Sequence, residues 1–173
     1  MTPALNLVVF RRRRRTNKCR NFNANPTVTT NVSKSGAAEA VLSIVDDSAA
    51  LAAAQLSGTA TSGNVYKLDN SLGGGAAYAT ISGSVGNTSP HSASAYIRGG
   101  TGRLFIDDST GGAFPASAGY VRVKQEAVIP VNSTRQLLIQ ADAGQVIYFI
   151  LNQLEEGAIA TAVIVVSGAA VTV

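Results

Sequence analysis

Residues 145 to 160 read QVIYFILNQLEEGAIA, and the first half of this stretch is apolar without a break. As a strand it sends Val146, Tyr148 and Ile150 to one side and Ile147, Phe149 and Leu151 to the other, so both sides need cover. One side fits the interior of a β-sandwich. The other needs a second layer, supplied by the chain itself or by a neighbouring subunit. Burying three such side chains is worth roughly 5–8 kcal/mol, too much to leave in water, and this points to an assembly.

The rest of the chain suits that strand. Apolar residues make up 46% of the 173 positions and aromatics only 6%, with 17 Gly and no Trp, which describes one domain whose core is Ala, Val, Ile and Leu on short strands. Strands are expected over Thr27 to Val32, with a turn at Ser33 to Gly36, then over Val41 to Val45. Asp46-Asp47-Ser48 before AALAAAQL reads as a capped helical turn, its carboxylates or hydroxyl accepting free N–H groups. Gly63 to Asn70 alternates, Val65 and Lys67 against Tyr66 and Leu68, and Ala76 to Val85 is a strand of small residues. Ser92 to Arg98 and Arg103 to Asp107 flank a glycine turn and read as a hairpin. Tyr120 to Ile129 alternates as well. Arg135 to Ala141 and Gln145 to Asn152 read as a paired return across Asp142-Ala143-Gly144, and Ala160 to Val166 and Ala169 to Val173 read as closing strands. About ten strands at this spacing predict an all-β fold, a two-sheet antiparallel jelly-roll sandwich over residues 26–173, with an extended basic arm over residues 1–25.

Charge is uneven. Of the 14 Lys and Arg, seven (Arg11 to Arg15, Lys18 and Arg20) fall within the first 20 residues, with no acid before Glu39, which leaves 7 basic against 10 acidic residues, or −3, for the remainder. The run Arg11, Arg12, Arg13, Arg14 and Arg15 suits a phosphate-binding arm, a strap on an acidic protein surface, or a solvated block. Leu5, Leu7, Val9 and Phe10 just before it favour docking on protein. An apolar piece this short, placed ahead of the arginines, is neither a membrane span nor a secretory signal, so the expectation is an intracellularly made protein with no membrane partner. Cys19 is the only cysteine, which leaves no disulfide framework, and in a basic stretch it reads as incidental.

Catalytic signals are sparse. His91 is the only histidine and lies beside Pro90 in an expected loop, a weak basis for a Ser-His-Asp arrangement. The pairs Asp46/Asp47, Asp107/Asp108 and Glu155/Glu156 each fit a cap or turn as well as a glycosidase pair. The glycine runs join strands, not a strand to a helix, so no phosphate loop is expected. The expectation is a non-enzyme without cofactor. In the closing stretch Leu154 continues inward, Glu155 and Glu156 turn out, and Gly157 allows the bend.

Three stretches carry a resemblance. Arg15-Thr16-Asn17-Lys18-Cys19 with Asn23 to Pro26, the strand Ser92 to Arg98, and Asn152-Gln153-Leu154-Glu155-Glu156-Gly157-Ala158-Ile159-Ala160-Thr161 resemble the opening, middle and closing signatures of jelly-roll, carbohydrate-binding-module-like domains in tailed-bacteriophage virion proteins. The likeness spans residues 15 to about 161 and implies a virion structural protein made in the host cytoplasm. Such modules serve as capsid decoration, head fibres and tail fibres, and fold does not choose among these duties. Resembling carbohydrate-binding modules often hold calcium, which would fall to Glu155 or Glu156, with Asp69 as a second ligand, but no dense acidic cluster surrounds either glutamate. Fibre modules usually follow a long shaft, and sugar binders commonly offer Trp or Tyr platforms, whereas this chain has a short lead before the opening signature, no Trp and five scattered Tyr.

These observations favour a capsid decoration or cement module, a homotrimer whose arm docks on the major capsid protein or another virion protein, with Ile147, Phe149, Leu151, Val163 and Val165 as oligomer or packing strands. The alternative is a fibre or receptor-binding module for host surface polysaccharide, with Tyr96, Arg98, Arg103 and Tyr120 as glycan contacts. A third is a small capsid protein whose arm binds nucleic acid, with a log–log salt slope of roughly −4 to −6.

Overall fold

The computed structural model describes residues 16–19, 26–27, 29–60, 62–106, 110–164 and 171–172. Alternation of small or branched apolar residues with polar ones builds two five-stranded antiparallel sheets. The first has the order β2 (Val32–Gly36), β5 (Ala77–Ile81), β10 (Leu137–Ala141), β7 (Gly102–Ile106), β8 (Gly112–Phe114). The second has β3 (Val41–Asp46), β4 (Asn64–Asp69), β11 (Val146–Glu156), β6 (His91–Gly99), β9 (Ser117–Val128). A short pair, β1 (Thr16–Asn17) with β12 (Val171–Thr172), joins the two ends of the described chain, and α1 (Ser48–Ala53) is its one helix. The fold is the expected jelly-roll sandwich.

Between the sheets lie Val32, Ala77, Ala79, Ile81, Leu104, Ile106, Leu137 and Ile139 from one side and Tyr66, Leu68, Ala93, Ala95, Ile97, Ile147, Phe149 and Leu154 from the other. Alanines on β5 and β6 let the sheets approach, and the Tyr66 and Phe149 rings stack at 5.3 Å between centroids. Ile147 and Phe149 thus pack inside the sandwich and not at a subunit contact.

The outer side of β11 is covered by the chain itself. Tyr148, Ile150 and Leu151 pack with Val65, Tyr96 and Tyr120 beneath Leu51, Leu56 and Ala60 of the α1 segment and beneath Val163. The second layer that the sequence left open between self-cover and a neighbouring subunit is therefore present within one subunit. Leu151 belongs to this outer group, contrary to simple alternation. At a bulge, Leu151 and Asn152 stand opposite the single residue Ala95, and Leu151 takes φ 56°. Parity inverts there, so Leu154 points inward while Gln153 and Glu155 point outward.

Several local expectations are corrected. Ser92 to Arg98 and Arg103 to Asp107 do not form a hairpin: β6 pairs with β11 and β9, and β7 pairs with β10 and β8. Nor does β10 pair with β11, because each belongs to a different sheet. In both places the glycine turn is a corner that carries the chain across the sandwich, and turn chemistry alone does not separate a corner from a hairpin. At Gly99, with φ 104°, an added Cβ would lie 2.4 Å from the Val146 carbonyl oxygen. Ser33 to Gly36, expected as a turn, is strand β2, and residues 160 to 164 run over the outer face without forming a strand.

Thr16 to Cys19, assigned from sequence to the arm, are built into the sandwich. Cys19 is a buried core residue rather than an incidental one, and burial pushes its thiol far above the ordinary range. The docking residues Leu5, Leu7, Val9, Phe10 and Arg11 to Arg15, like Val165 and Asp107/Asp108, lie outside the described residues.

Candidate functional site

Two outer faces bear on function, and they differ in how far their polar groups are already used. On the β3-β4-β11-β6-β9 sheet, neighbouring strands bring Tyr96 and Arg98 of β6 beside Tyr120 of β9 and Tyr148 of β11. Arg98 donates to Asp47 through Nε (2.6 Å) and Nη2 (2.7 Å), a fork on a carboxylate, and stacks over the Tyr148 ring at 3.9 Å. Tyr120, only 7% exposed, donates its hydroxyl to Asp47 Oδ2 at 2.7 Å, and burial followed by this bond pushes the phenol far above its usual pKa. Asp47 is thus drawn away from the helix end it precedes and makes no side-chain cap there. Asp46 Oδ1 instead accepts the Ser48 N–H at 2.8 Å. Three of the four residues expected to touch a glycan are gathered here, but Arg98 and Tyr120 are spent on fastening the α1 segment to the sheet.

The closing signature is likewise internal. Glu155, expected to face solvent, is 0% exposed: Oε1 accepts from Gln153 Nε2 (2.8 Å) and the Thr161 N–H (2.6 Å), and Oε2 accepts from the Thr161 hydroxyl (2.8 Å). Gln153 Oε1 accepts the Ile164 N–H at 2.8 Å, and Arg122 donates to Ser94 Oγ and the Thr161 carbonyl. These bonds hold the return segment on the sheet. The parity inversion at Leu151 places Glu155 among them. Asp69 lies at the other end of the sheet, paired to Lys67 at 2.8 Å and held at a pKa of about 2 by its bonds from Lys67 and Ser71, so the two weak calcium candidates are not brought together. Among the described residues no three His, Cys, Asp or Glu form a cluster suited to a metal, and no helix there is long and apolar enough to cross a membrane.

The outer face of the β2-β5-β10-β7-β8 sheet is open. Its inward positions are the core residues named above, so register fixes two outward rows. One runs Ser35, Tyr78, Gln140, Arg103, Ala113, and the other runs Ser33, Thr80, Leu138, Phe105. All are partly or fully exposed. Tyr78 and Phe105 sit diagonally across β10 with centroids 6.2 Å apart, edge to face. Each ring rests on a glycine, since a Cβ on Gly36 would meet Tyr78 Cδ2 at 2.9 Å and one on Gly111 would meet Phe105 Cβ at 3.0 Å. Gln140 donates to Asp142 (2.9 Å), and Arg103, the fourth expected glycan contact, donates to the Thr110 carbonyl (3.2 Å). Aromatic surface beside planar hydrogen-bonding side chains and hydroxyls is the pairing that a sugar ring calls for, its C–H face against a ring and its hydroxyls on donors and acceptors.

Sequence reasoning found Arg103 and missed Tyr78, Phe105 and Gln140. The signal existed in the alternation of RLFID, where inward Leu104 and Ile106 leave Arg103 and Phe105 outward. Elsewhere, a cavity of about 230 Å³ is lined by Ser48, Leu51, Ser57, Ala60, Ser62 and Gly63. It offers neither an aromatic ring nor a charged group to fix a ligand.

No family model matches the chain, and no curated protein does. Among solved structures, the enzymatically active domain of tailspike protein 4 of bacteriophage CBA120 is similar with a TM-score of 0.57 at 13% identity, covering 83% of this chain and 21% of that one. This chain therefore spans about a fifth of the tailspike chain's length. TmCBM61, solved in complex with β-1,4-galactotriose, is similar at 12% identity over 78% of this chain and 90% of that one, with a TM-score of 0.43 that carries no weight for function. At these identities the similarity to the tailspike domain establishes a shared fold, the β-sandwich already evident from the sheets.

Proposed function

We propose that this chain is a glycan-recognising module of a phage fibre or tailspike, binding host surface polysaccharide without cleaving it. The observation that carries the reading is the open face of the β2-β5-β10-β7-β8 sheet, where Tyr78 and Phe105 lie beside Gln140, Arg103, Ser33, Ser35 and Thr80. The shared fold with a bacteriophage tailspike domain supports the virion setting. Tail rather than head is favoured because one motive for capsid decoration has gone: the apolar outer side of β11 is satisfied by the chain's own α1 and 160–164 segments. The non-catalytic part of the reading rests on how the carboxylates are used. Among the described residues, Asp47, Glu155 and Asp69 are tied to Arg98, to Gln153 and Thr161, and to Lys67 and Ser71, away from the open rows, while Asp142 beside those rows is held by Gln140 and Thr101. Screening the full chain on an array of bacterial surface polysaccharides is the test. Binding to a restricted set of glycans is expected, and a signal no higher than that of an inert β-sandwich across the array would refute the reading.

A further inference from the structure

On the open face one charged side chain stands within the two rows, and its capacity is mostly unused. Arg103 is exposed and places one donor on the Thr110 carbonyl, and it makes no ion pair among the described residues. A guanidinium carries five N–H donors in a flat fork matched to a carboxylate. The chain's other described outward arginines on sheet strands are engaged, Arg98 by Asp47 and Arg122 by Ser94 and Thr161. Arg103 also stands in register: it is directly opposite Gln140, which is opposite Tyr78, while Phe105 is two residues along the same strand on the same side. With strands spaced about 4.8 Å apart, Arg103 and Tyr78 are roughly 10 Å apart across the row, so a saccharide laid over the rings would bring its next residue to the guanidinium.

Resting on the reading of this face as a glycan site, we infer that it selects acidic polysaccharides, with Arg103 taking the carboxylate of a uronic or sialic acid residue in a bidentate pair while Tyr78 and Phe105 support adjoining rings. Lysine at this position would supply charge without the fork.

The test compares the full chain with Arg103→Gln and Arg103→Lys, both substitutions at an exposed position. The ligands are polygalacturonate, hyaluronan and polysialic acid, each beside its carboxyl-reduced counterpart. Dextran sulfate reports the background that the arginine-rich N-terminus gives to any polyanion, which is the same for all three chains. At least one acidic polymer should bind about 10-fold or more tightly than its reduced form. That margin should fall about 10-fold in Arg103→Gln, to the background that the N-terminal arginines give any polyanion, and by less in Arg103→Lys, with dextran sulfate binding changed far less. Equal affinity for the acidic and reduced forms, a margin that Arg103→Gln leaves undiminished, or binding of neutral glycans alone would overturn the acid selectivity while leaving glycan recognition standing. Absence of binding to every polymer, acidic and neutral, would overturn both.

Discussion

Asn17 and Leu154 are joined at the bulge that reorganises the longest apolar strand: Asn17 Oδ1 accepts the Leu154 N–H at 3.1 Å, and the Leu154 carbonyl accepts the Lys18 N–H at 2.7 Å. The same side chain donates from Nδ2 to the carbonyls of Asn152 and Ile164, each at 3.0 Å, and its Oδ1 also accepts the Cys19 N–H at 3.1 Å. A fully buried amide thus serves backbone groups of the bulge, the return segment and the opening strand at once. The opening and closing signatures meet at this point.

Replacing Asn17 with Ala strands several buried donors and acceptors at about 1–3 kcal/mol each. Asn17→Ala should cost about 3 kcal/mol or more, measured by urea denaturation. Asn17→Asp should cost a similar amount, since it removes both Nδ2 donors and buries a charge. A loss below about 1 kcal/mol would show that the bulge does not depend on this amide.

The Asp47 carboxylate holds Arg98 and Tyr120 together, and side-chain exposures of 12% for Asp47 and 21% for Arg98 make this a largely desolvated pair. Removing one partner of such a pair leaves the other uncompensated, so Asp47→Ala should destabilise by about 2–3 kcal/mol and loosen the α1 segment. Combined with Arg98→Met the further cost should be small. A double-mutant cycle with coupling near zero would contradict the pairing.

His91 gives the fold a pH dependence whose sign follows from its surroundings. Nδ1 lies 2.6 Å from the Ser89 carbonyl, while Nε2 lies 3.1 Å from Lys18 Nζ, and Lys18 also donates to the Val85 carbonyl. A neutral ring carrying its proton on Nδ1 donates to Ser89 and accepts from Lys18, leaving the Val85 carbonyl, 2.9 Å from Nε2, to the Lys18 ammonium, whereas an imidazolium could donate to both carbonyls but would face that ammonium. Burial first, with Lys18 adding, holds the His91 pKa below its ordinary 6.5, although the Ser89 and Val85 carbonyls and Glu156 oppose the shift. The unfolded chain therefore takes up the proton first as pH falls. The stability owed to neutral His91 is complete above pH 6.5 and drains away below it, toward the lower folded-state value. Denaturation midpoints should fall between pH 7.5 and 5.5 in the native chain, and His91→Gln should flatten that slope. An equal slope in both would remove His91 as its source.

Sequence alternation displayed some of this molecule plainly and hid other parts. In β4 the placement of Tyr66 and Leu68 inward and Val65 and Lys67 outward follows from the residues alone, as does the outward row of Arg122 and Lys124 on β9. Glu155 points outward as expected but is buried because the return segment at Thr161 lies over it, and neither that cover nor the leucine at positive φ whose bulge inverts the strand's two faces leaves a trace in the sequence. The glycine corners after β6 and β10 look like hairpins because reversal is local, whereas the choice of sheet is set by distant packing. Tyr78 and Phe105 come from strands 27 positions apart and meet only through β10, a relationship that no local pattern carries.

The most direct test of glycan recognition on the open face takes the glycan bound most strongly on the array and titrates it against the native chain and against a Tyr78→Ala/Phe105→Ala variant. Both rings are outside the core, so the variant should keep its fold by circular dichroism. Loss of two stacking platforms, at about 1 kcal/mol or more each, should weaken binding at least 30-fold. Undiminished affinity in a folded double variant would place recognition elsewhere and contradict the account.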